Sequence, residues 1–427
     1  MLRRRRKWAP KWARKWAGTW AGPGVRAGTV LAVLGCAASL AVLPGTPAAA
    51  DTIQVDQQWI LNMMNVPAAW QLTRGGGVTV AVIDSGVNPD VSDLAGSVVT
   101  GPDYTGVSTK SSNPDWGVHG TWMASLIAGH GHDGGDSGVI GVAPRSTILS
   151  IRVIPDRADP HYGRYSREQE PDIQKSLAEG IDYAVRRGAK VISMSIGYSA
   201  PNSAVRQALA AAYSRGVVVI ASAGNSGAPG GTSDGSPAPE SFPADYPGVI
   251  SVGAVNEGGT VAGFSSANLS VQVAAPGVDV PAQGRDGQYW WVSGTSPACA
   301  LVAGVAALIK SKYPDLAPSL VASALTSTTT NRPPGGYNSQ VGFGIVDADA
   351  ALAKAAKLAG DPPAPVGIAA AARFGGGPPA VAQPPVRPRG SGPLFLFVLL
   401  ALTSLVLTAA AATRLAILRR TPDDRSC

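Results

Sequence analysis

Five short apolar runs rich in β-branched residues constrain this chain more than anything else in it: VTVAVID (78–84), TILSIRVI (147–154), KVISMSI (190–196), VVVIASA (217–223) and VISVGAV (249–255). Runs of that length and composition read as buried parallel strands. Between them, DIQKSLAEGIDYAVRRG (172–188) and NSAVRQALAAAYSRG (202–216) carry helical spacing and end in glycine, a common helix stop. Strand–helix–strand repetition of this kind predicts an α/β fold, a doubly wound parallel sheet with helices on both faces. In such folds chemistry gathers beyond the carboxyl ends of the strands.

The flanks are of a different kind. Nine of the 35 Lys/Arg lie in residues 1–50, with no acid, and seven lie in 361–427 against three Asp. That leaves 19 basic and 25 acidic residues in 51–360, a net of −6, so the basic overall balance gives no support to nucleic-acid binding. Residues 1–50 read as a signal peptide with a long basic n-region. RRRRK, with Trp8, Trp12, Trp16 and Trp20, precedes the apolar run Gly28–Leu43, and PGTPAAA supplies a small-residue cleavage site before Asp51. At the other end, 361–393 holds nine prolines and reads as an extended linker. Leu394–Thr413 follows as 20 uncharged residues, long enough to cross a bilayer. Arg414, Arg419 and Arg420 put the tail 414–427 in the cytoplasm by the positive-inside rule. The expected organisation is a leader, a short extension (51–77), a folded extracytoplasmic domain (78–360), a linker and one membrane span. Cys299 is the only cysteine between the expected cleavage site and the span, so the domain has no internal disulfide.

Four polar side chains punctuate apolar strings in the domain. Asp84 ends the first run, in VAVIDSGV. His119 opens GVHGTWMASLIAG (117–129), and Asn225 sits in the Gly-bounded turn of ASAGNSG (221–227). Ser296 precedes Pro297 in VSGTSPACALVAG (292–304). Each alone has a structural explanation: strand end, helix residue, turn former and helix N-cap. Together they form a nucleophile set. A serine hydroxyl attacks at neutral pH only when a base takes its proton. A histidine can do so when a carboxylate fixes its tautomer, and a side-chain amide can stabilise the oxyanion that develops.

The order Asp…His…Ser and the strings AVIDSGV, HGTWMASLIAG, SAGNSG and SGTSPACALVAG resemble the signature segments of subtilisin-like serine proteases. The resemblance implies Asp84 as triad carboxylate, His119 as base, Ser296 as nucleophile and Asn225 as oxyanion donor. It also implies substrate-binding walls at Ser195, Ile196 and Gly197 and at Ala221, Ser222, Ala223 and Gly224, where an extended peptide is bound. Pro-Ala-Cys-Ala-Leu after Ser296 departs from the usual run, and Cys299 is expected to turn into the core. Signal, short extension, protease domain, Pro-rich stalk and terminal span together resemble the mycosins, membrane-anchored proteases of type VII secretion. That likeness implies polypeptide substrates among secreted proteins, a membrane-complex partner and an extension that wraps the domain. A structural subunit whose proteolysis is dispensable, and a broad-specificity surface protease, stand as alternatives.

This chemistry requires no cofactor. GHGHDGGD (129–136) falls where many subtilases bind calcium, but two imidazoles suit calcium badly, so a flexible glycine-rich loop is expected there. PDRADPHYGRYSREQEP (155–171) is expected to be a polar surface loop near the cleft.

Overall fold

The computed structural model describes residues 2–3, 52–157, 159–162, 170–227, 238, 240–360, 403–404 and 407–414. The chain divides into two units, Met1–Pro363 and Ala364–Cys427. In the second unit, residues 403–404 and 407–414 are helical. Among the described residues no helix is long and apolar enough to cross a membrane. The expected linker and most of the expected leader and span lie outside the described residues.

The first unit is built on a seven-stranded sheet. In chain order its strands are β2 (Thr79–Asp84), β3 (Val98–Asp103), β6 (Thr147–Arg152), β7 (Val191–Met194), β8 (Val218–Ser222), β9 (Val249–Val255) and β10 (Val271–Pro276). Every pairing is parallel, and the spatial order is β10-β9-β8-β7-β2-β6-β3. The five apolar runs of the sequence are β2, β6, β7, β8 and β9. The two edge strands were not legible: VVTGPD contains Gly and Pro, and VQVAAP ends in Pro, both of which belong on an edge. Beyond the sheet lie the hairpins β4 (His130–His132) with β5 (Ser137–Ile140), and β11 (Val280–Gln283) with β12 (Tyr289–Val292). A two-residue strand β1 (Leu2–Arg3) pairs antiparallel with β12.

Helices cover both faces, as double winding requires. α3 (Val118–Ala128) and α6 (Thr295–Lys312) lie on one face; α4 (Glu170–Arg186) and α5 (Ser203–Ser214) lie on the other. Strand alternation assigns the side chains. Val80 and Val82 of β2 pack with Met123, Leu126, Leu301 and Val305, whereas Ala81 and Ile83 pack with Leu177, Ile181 and Leu209. From Pro297 to Lys310 every residue of α6 is buried, which accounts for a helix that is apolar all round. α7 (Pro318–Ser327) and α8 (Ala348–Gly360) complete this layer.

The extension forms α1 (Thr52–Met63) and α2 (Val66–Ala69). Ile60, Met64 and Val66 are fully buried in the α3/α6 core. The Gln57 amide accepts the Ile140 N–H at 3.0 Å and donates to the Ile140 carbonyl, pairing with β5 as a strand would. The extension is thus integral to the domain.

Two expectations about loops change. GHGHDGGD forms strand β4 and the turn that leads into β5. His132 Nδ1 lies 2.8 Å from the wholly buried Asp93, which also accepts the Val139 N–H at 2.7 Å. Among the described residues no group of three or more His, Cys, Asp or Glu is arranged to hold a metal. The segment after β6 is not simply polar surface: Asp156 and Asp159 are buried.

Candidate active site

β2 is the first sheet strand; β3 and β6 extend the sheet to one side of it and β7 through β10 to the other. That change of direction opens a crevice at the carboxyl ends of the strands, and Asp84 is the last residue of β2. Asp84 is 1% exposed, and its Oδ1 accepts the Ser85 N–H at 2.7 Å. His119 stands in the first turn of α3, with Nδ1 at 2.8 Å from Asp84 Oδ1 and 3.0 Å from Oδ2. This pair forms only because Gly120 lets the helix lie against the turn after β2: a Cβ there would collide with the Gly86 carbonyl oxygen. With Nδ1–H donated to the carboxylate, Nε2 is left as the basic nitrogen.

Burial opposes charge on His119 and is the largest single influence on it. The charge and hydrogen bond of Asp84, helped by the charge of Asp156, outweigh burial and the opposing Arg157, and the His119 pKa rises above its ordinary value.

Ser296 is the second residue of α6, which packs against α3. It is not the N-cap. That position is Gly294, in extended backbone and with no capping side chain. The cap comes instead from Asn225, whose Oδ1 accepts the Thr295 N–H at 2.8 Å and the Thr295 hydroxyl at 3.0 Å. With its oxygen so committed, Asn225 has its Nδ2 hydrogens free to donate beside the same helix end. A Cβ on Gly294 would lie 3.4 Å from that nitrogen. Thr295 Oγ1 also accepts the Gly224 N–H at 3.2 Å, joining the turn after β8 to the start of α6. The positive end of the α6 dipole therefore sits beside Ser296, in the first turn that Asn225 caps.

The residues expected to bind substrate divide. Ser195, Ile196 and Gly197 continue past the end of β7; Ser195 is half-buried, Gly197 is exposed, and Ser195 Oγ donates to the Ser296 carbonyl at 3.3 Å. On the other side, Ala221 and Ser222 lie inside β8, paired to β9, with Ala221 also paired to β7. The Ala223 N–H is taken by the Val252 carbonyl. Only Gly224 of that group stands clear of the sheet, with a φ of +102°. Ser241 Oγ lies between the two sides, near enough to meet a Cβ at either Gly197 or Gly224.

Cys299 points into the core, fully buried, with Ser193 Oγ and the Met194 carbonyl each at 3.7 Å. Burial pushes its thiol pKa up to about 12, so almost no nucleophilic thiolate exists at neutral pH. Iodoacetamide at pH 8 should leave Cys299 unmodified in the native protein and alkylate it after denaturation, read by peptide mass spectrometry. Native alkylation at Cys299 would contradict the packing.

Two polar residues that sequence reasoning missed belong to this site. Ser85 Oγ donates to Asp156 Oδ2 at 2.9 Å and accepts the Gly120 N–H at 3.1 Å, and Asp156 Oδ2 also accepts the His119 N–H at 2.7 Å. Ser85 was visible inside AVIDSGV, but no spacing links Asp156 to the histidine.

Comparison with known proteins agrees with this architecture. Residues 75–344 match the Subtilase family. Subtilisin DY of Bacillus licheniformis is 38% identical over 278 residues, 65% of this chain and 92% of that protein. Thermitase of Thermoactinomyces vulgaris is 35% identical over 249 residues, 58% of this chain and 80% of that protein. Among solved structures, the MycP3 protease from the type VII (ESX-3) secretion system superposes with a TM-score of 0.58 at 33% identity, covering 73% of this chain and 90% of that one. MycP1 from Mycobacterium smegmatis gives 0.56 at 30% identity, covering 69% and 84%. The parallel sheet, the buried Asp–His pair and the serine at the start of a buried helix therefore have a common explanation: the chain belongs to the subtilase family of serine proteases.

Proposed function

We propose that the protein is a membrane-anchored, extracytoplasmic endopeptidase in which Ser296 attacks the scissile carbonyl, His119 takes and returns the proton, Asp84 holds the imidazole and Asn225 donates to the oxyanion. The observation that carries this reading is the bidentate approach of the buried Asp84 carboxylate to His119 Nδ1, which leaves Nε2 as the base. Attack forms an acyl-enzyme at Ser296 Oγ and expels the amine, which takes the proton held on His119; water then releases the acid by the reverse proton path. An extended peptide running along Ser195–Gly197 would present its carbonyl to this centre. The expected leader and C-terminal span support a domain outside the membrane. The likeness to the MycP1 and MycP3 structures supports secreted proteins of a type VII system as substrates and its membrane complex as partner.

A fluorophosphonate probe tests the chemistry. The wild-type protein should be labelled at Ser296, and the Ser296→Ala and His119→Ala variants should not. A wild type that stays unlabelled where an ordinary subtilase reacts would refute the reading. A Ser296→Ala protein that restores secretion to a deletion strain would instead favour the structural role.

A further inference from the structure

The helix that carries His119 begins without a cap of its own. Gly117 occupies the N-cap, offers no side chain and has a φ of +71°, so the first-turn N–H groups of α3 need acceptors from elsewhere. Two of them find acceptors in one small cluster. The His119 N–H donates to Asp156 Oδ2 at 2.7 Å, and the Gly120 N–H donates to Ser85 Oγ at 3.1 Å. The Ser85 hydroxyl itself donates to the same Asp156 oxygen at 2.9 Å. Asp156 is only 6% exposed, and its side chain accepts those donors while facing the N-terminus of α3.

We propose that Asp156 is a positioning residue for the reaction: it binds the backbone of His119 while Asp84 binds its ring, so that two carboxylates from separate segments fix one imidazole. Asp84 and Ser85 end the first strand, His119 and Gly120 open α3, and Asp156 comes from the segment after β6; the cluster joins all three. The inference rests on the proposed role of His119 as base.

Asp156 also acts on charge. The ionised groups that face the imidazole are Asp84 from β2 and Asp156 and Arg157 from the segment after β6; the two carboxylates raise the His119 pKa and Arg157 lowers it. Ser85 and Trp122 are uncharged neighbours, the Trp122 ring lying edge-on with its centroid 6.3 Å from that of the imidazole. Because the base works only when neutral, the acid limb of kcat/KM reports its pKa. Removing the Asp156 charge must move that limb to lower pH.

The test uses the purified full-length protein and a chromogenic peptide substrate. Asp156→Asn keeps the shape and one acceptor but removes the charge. Its kcat should fall by about tenfold or more, with KM within twofold, because a displaced imidazole costs rate more than binding. The acid limb should move down in pH. A limb that stays at the wild-type position, or a kcat within twofold of wild type, overturns the proposal. Should Asp156→Asn fail to fold by circular dichroism, Asp156→Glu carries the test. It keeps the charge but displaces it, so the limb should stay while kcat falls about tenfold; a wild-type kcat would overturn the proposal. Fluorophosphonate labelling of the wild type and of Ser296→Ala is run alongside. If the wild type is not labelled at Ser296, the proposed triad has failed; if it is labelled and Asp156→Asn behaves as wild type, only the role of Asp156 has failed.

Discussion

Replacing Ser296 with alanine should lower kcat by about 10^6-fold, a magnitude taken from triad removal in a subtilisin and carried over on family membership. That corresponds to about 8 kcal/mol of barrier. A loss that large follows if, as proposed, the serine supplies the covalent intermediate, because nothing nearby can replace it. Cys299, three residues along the helix, is buried and its thiol is held protonated. Thr295 is committed to Asn225 and to the Gly224 N–H. His119→Ala should cost nearly as much, and the double variant little more than either, because base and nucleophile act as one unit. About 10^3- to 10^4-fold over the uncatalysed reaction should survive in the alanine enzyme, carried by the Asn225 amide, the α6 dipole and substrate binding. Steady-state hydrolysis, with active sites counted by fluorophosphonate, measures all of this. An alanine enzyme retaining more than about a hundredth of wild-type kcat, a loss of under about 3 kcal/mol, would remove Ser296 from the mechanism.

Part of the site around this residue is legible in the sequence and part is not. SGTSPACALVAG identified Ser296 as the candidate nucleophile, yet the rule that proline favours the first helical position set the start of the helix too late. Proline is tolerated anywhere in the first turn, because none of those N–H groups has a partner within the helix. The helix in fact begins at Thr295, and its cap is the side chain of Asn225, 70 residues earlier in the chain. The five interior strands were legible because parallel strands covered on both faces must be apolar along their whole length. β3 and β10 were not, because an edge strand tolerates Gly, Pro and polar residues. Asp156 was invisible for a further reason. Its part depends on a contact with the His119 backbone 37 residues away, and a backbone amide leaves no trace in residue identity. In GHGHDGGD the pairing that orders the hairpin involves Asp93, which lies outside the segment altogether.

Asp84→Asn should lower kcat by about 10^4-fold while leaving the fold intact, and it separates the ring-holding carboxylate from the backbone-holding one. In the native site both Asp84 oxygens lie within 3.0 Å of His119 Nδ1, so that nitrogen must be the donor and Nε2 the base. Oδ1 also accepts the Ser85 N–H at 2.7 Å. An asparagine keeps its carbonyl oxygen on that N–H and so places its NH2 where Oδ2 was. From there it donates to Nδ1 and drives the imidazole proton to Nε2, which can then no longer act as the base. Two readouts distinguish this from Asp156→Asn. Loss of either anion lowers the His119 pKa and moves the acid limb down, because both carboxylates raise it in the native protein. Only Asp84→Asn also changes which ring nitrogen carries the proton, so its rate loss should exceed that of Asp156→Asn by up to about a thousandfold. Nitrogen NMR of the ring should find the neutral Asp84→Asn imidazole protonated at Nε2 and the Asp156→Asn imidazole still protonated at Nδ1. A protonated Nδ1 in both variants, or equal rate losses, would mean that Asp84 does no more for His119 than Asp156 does, and the assignment of the triad carboxylate would fall.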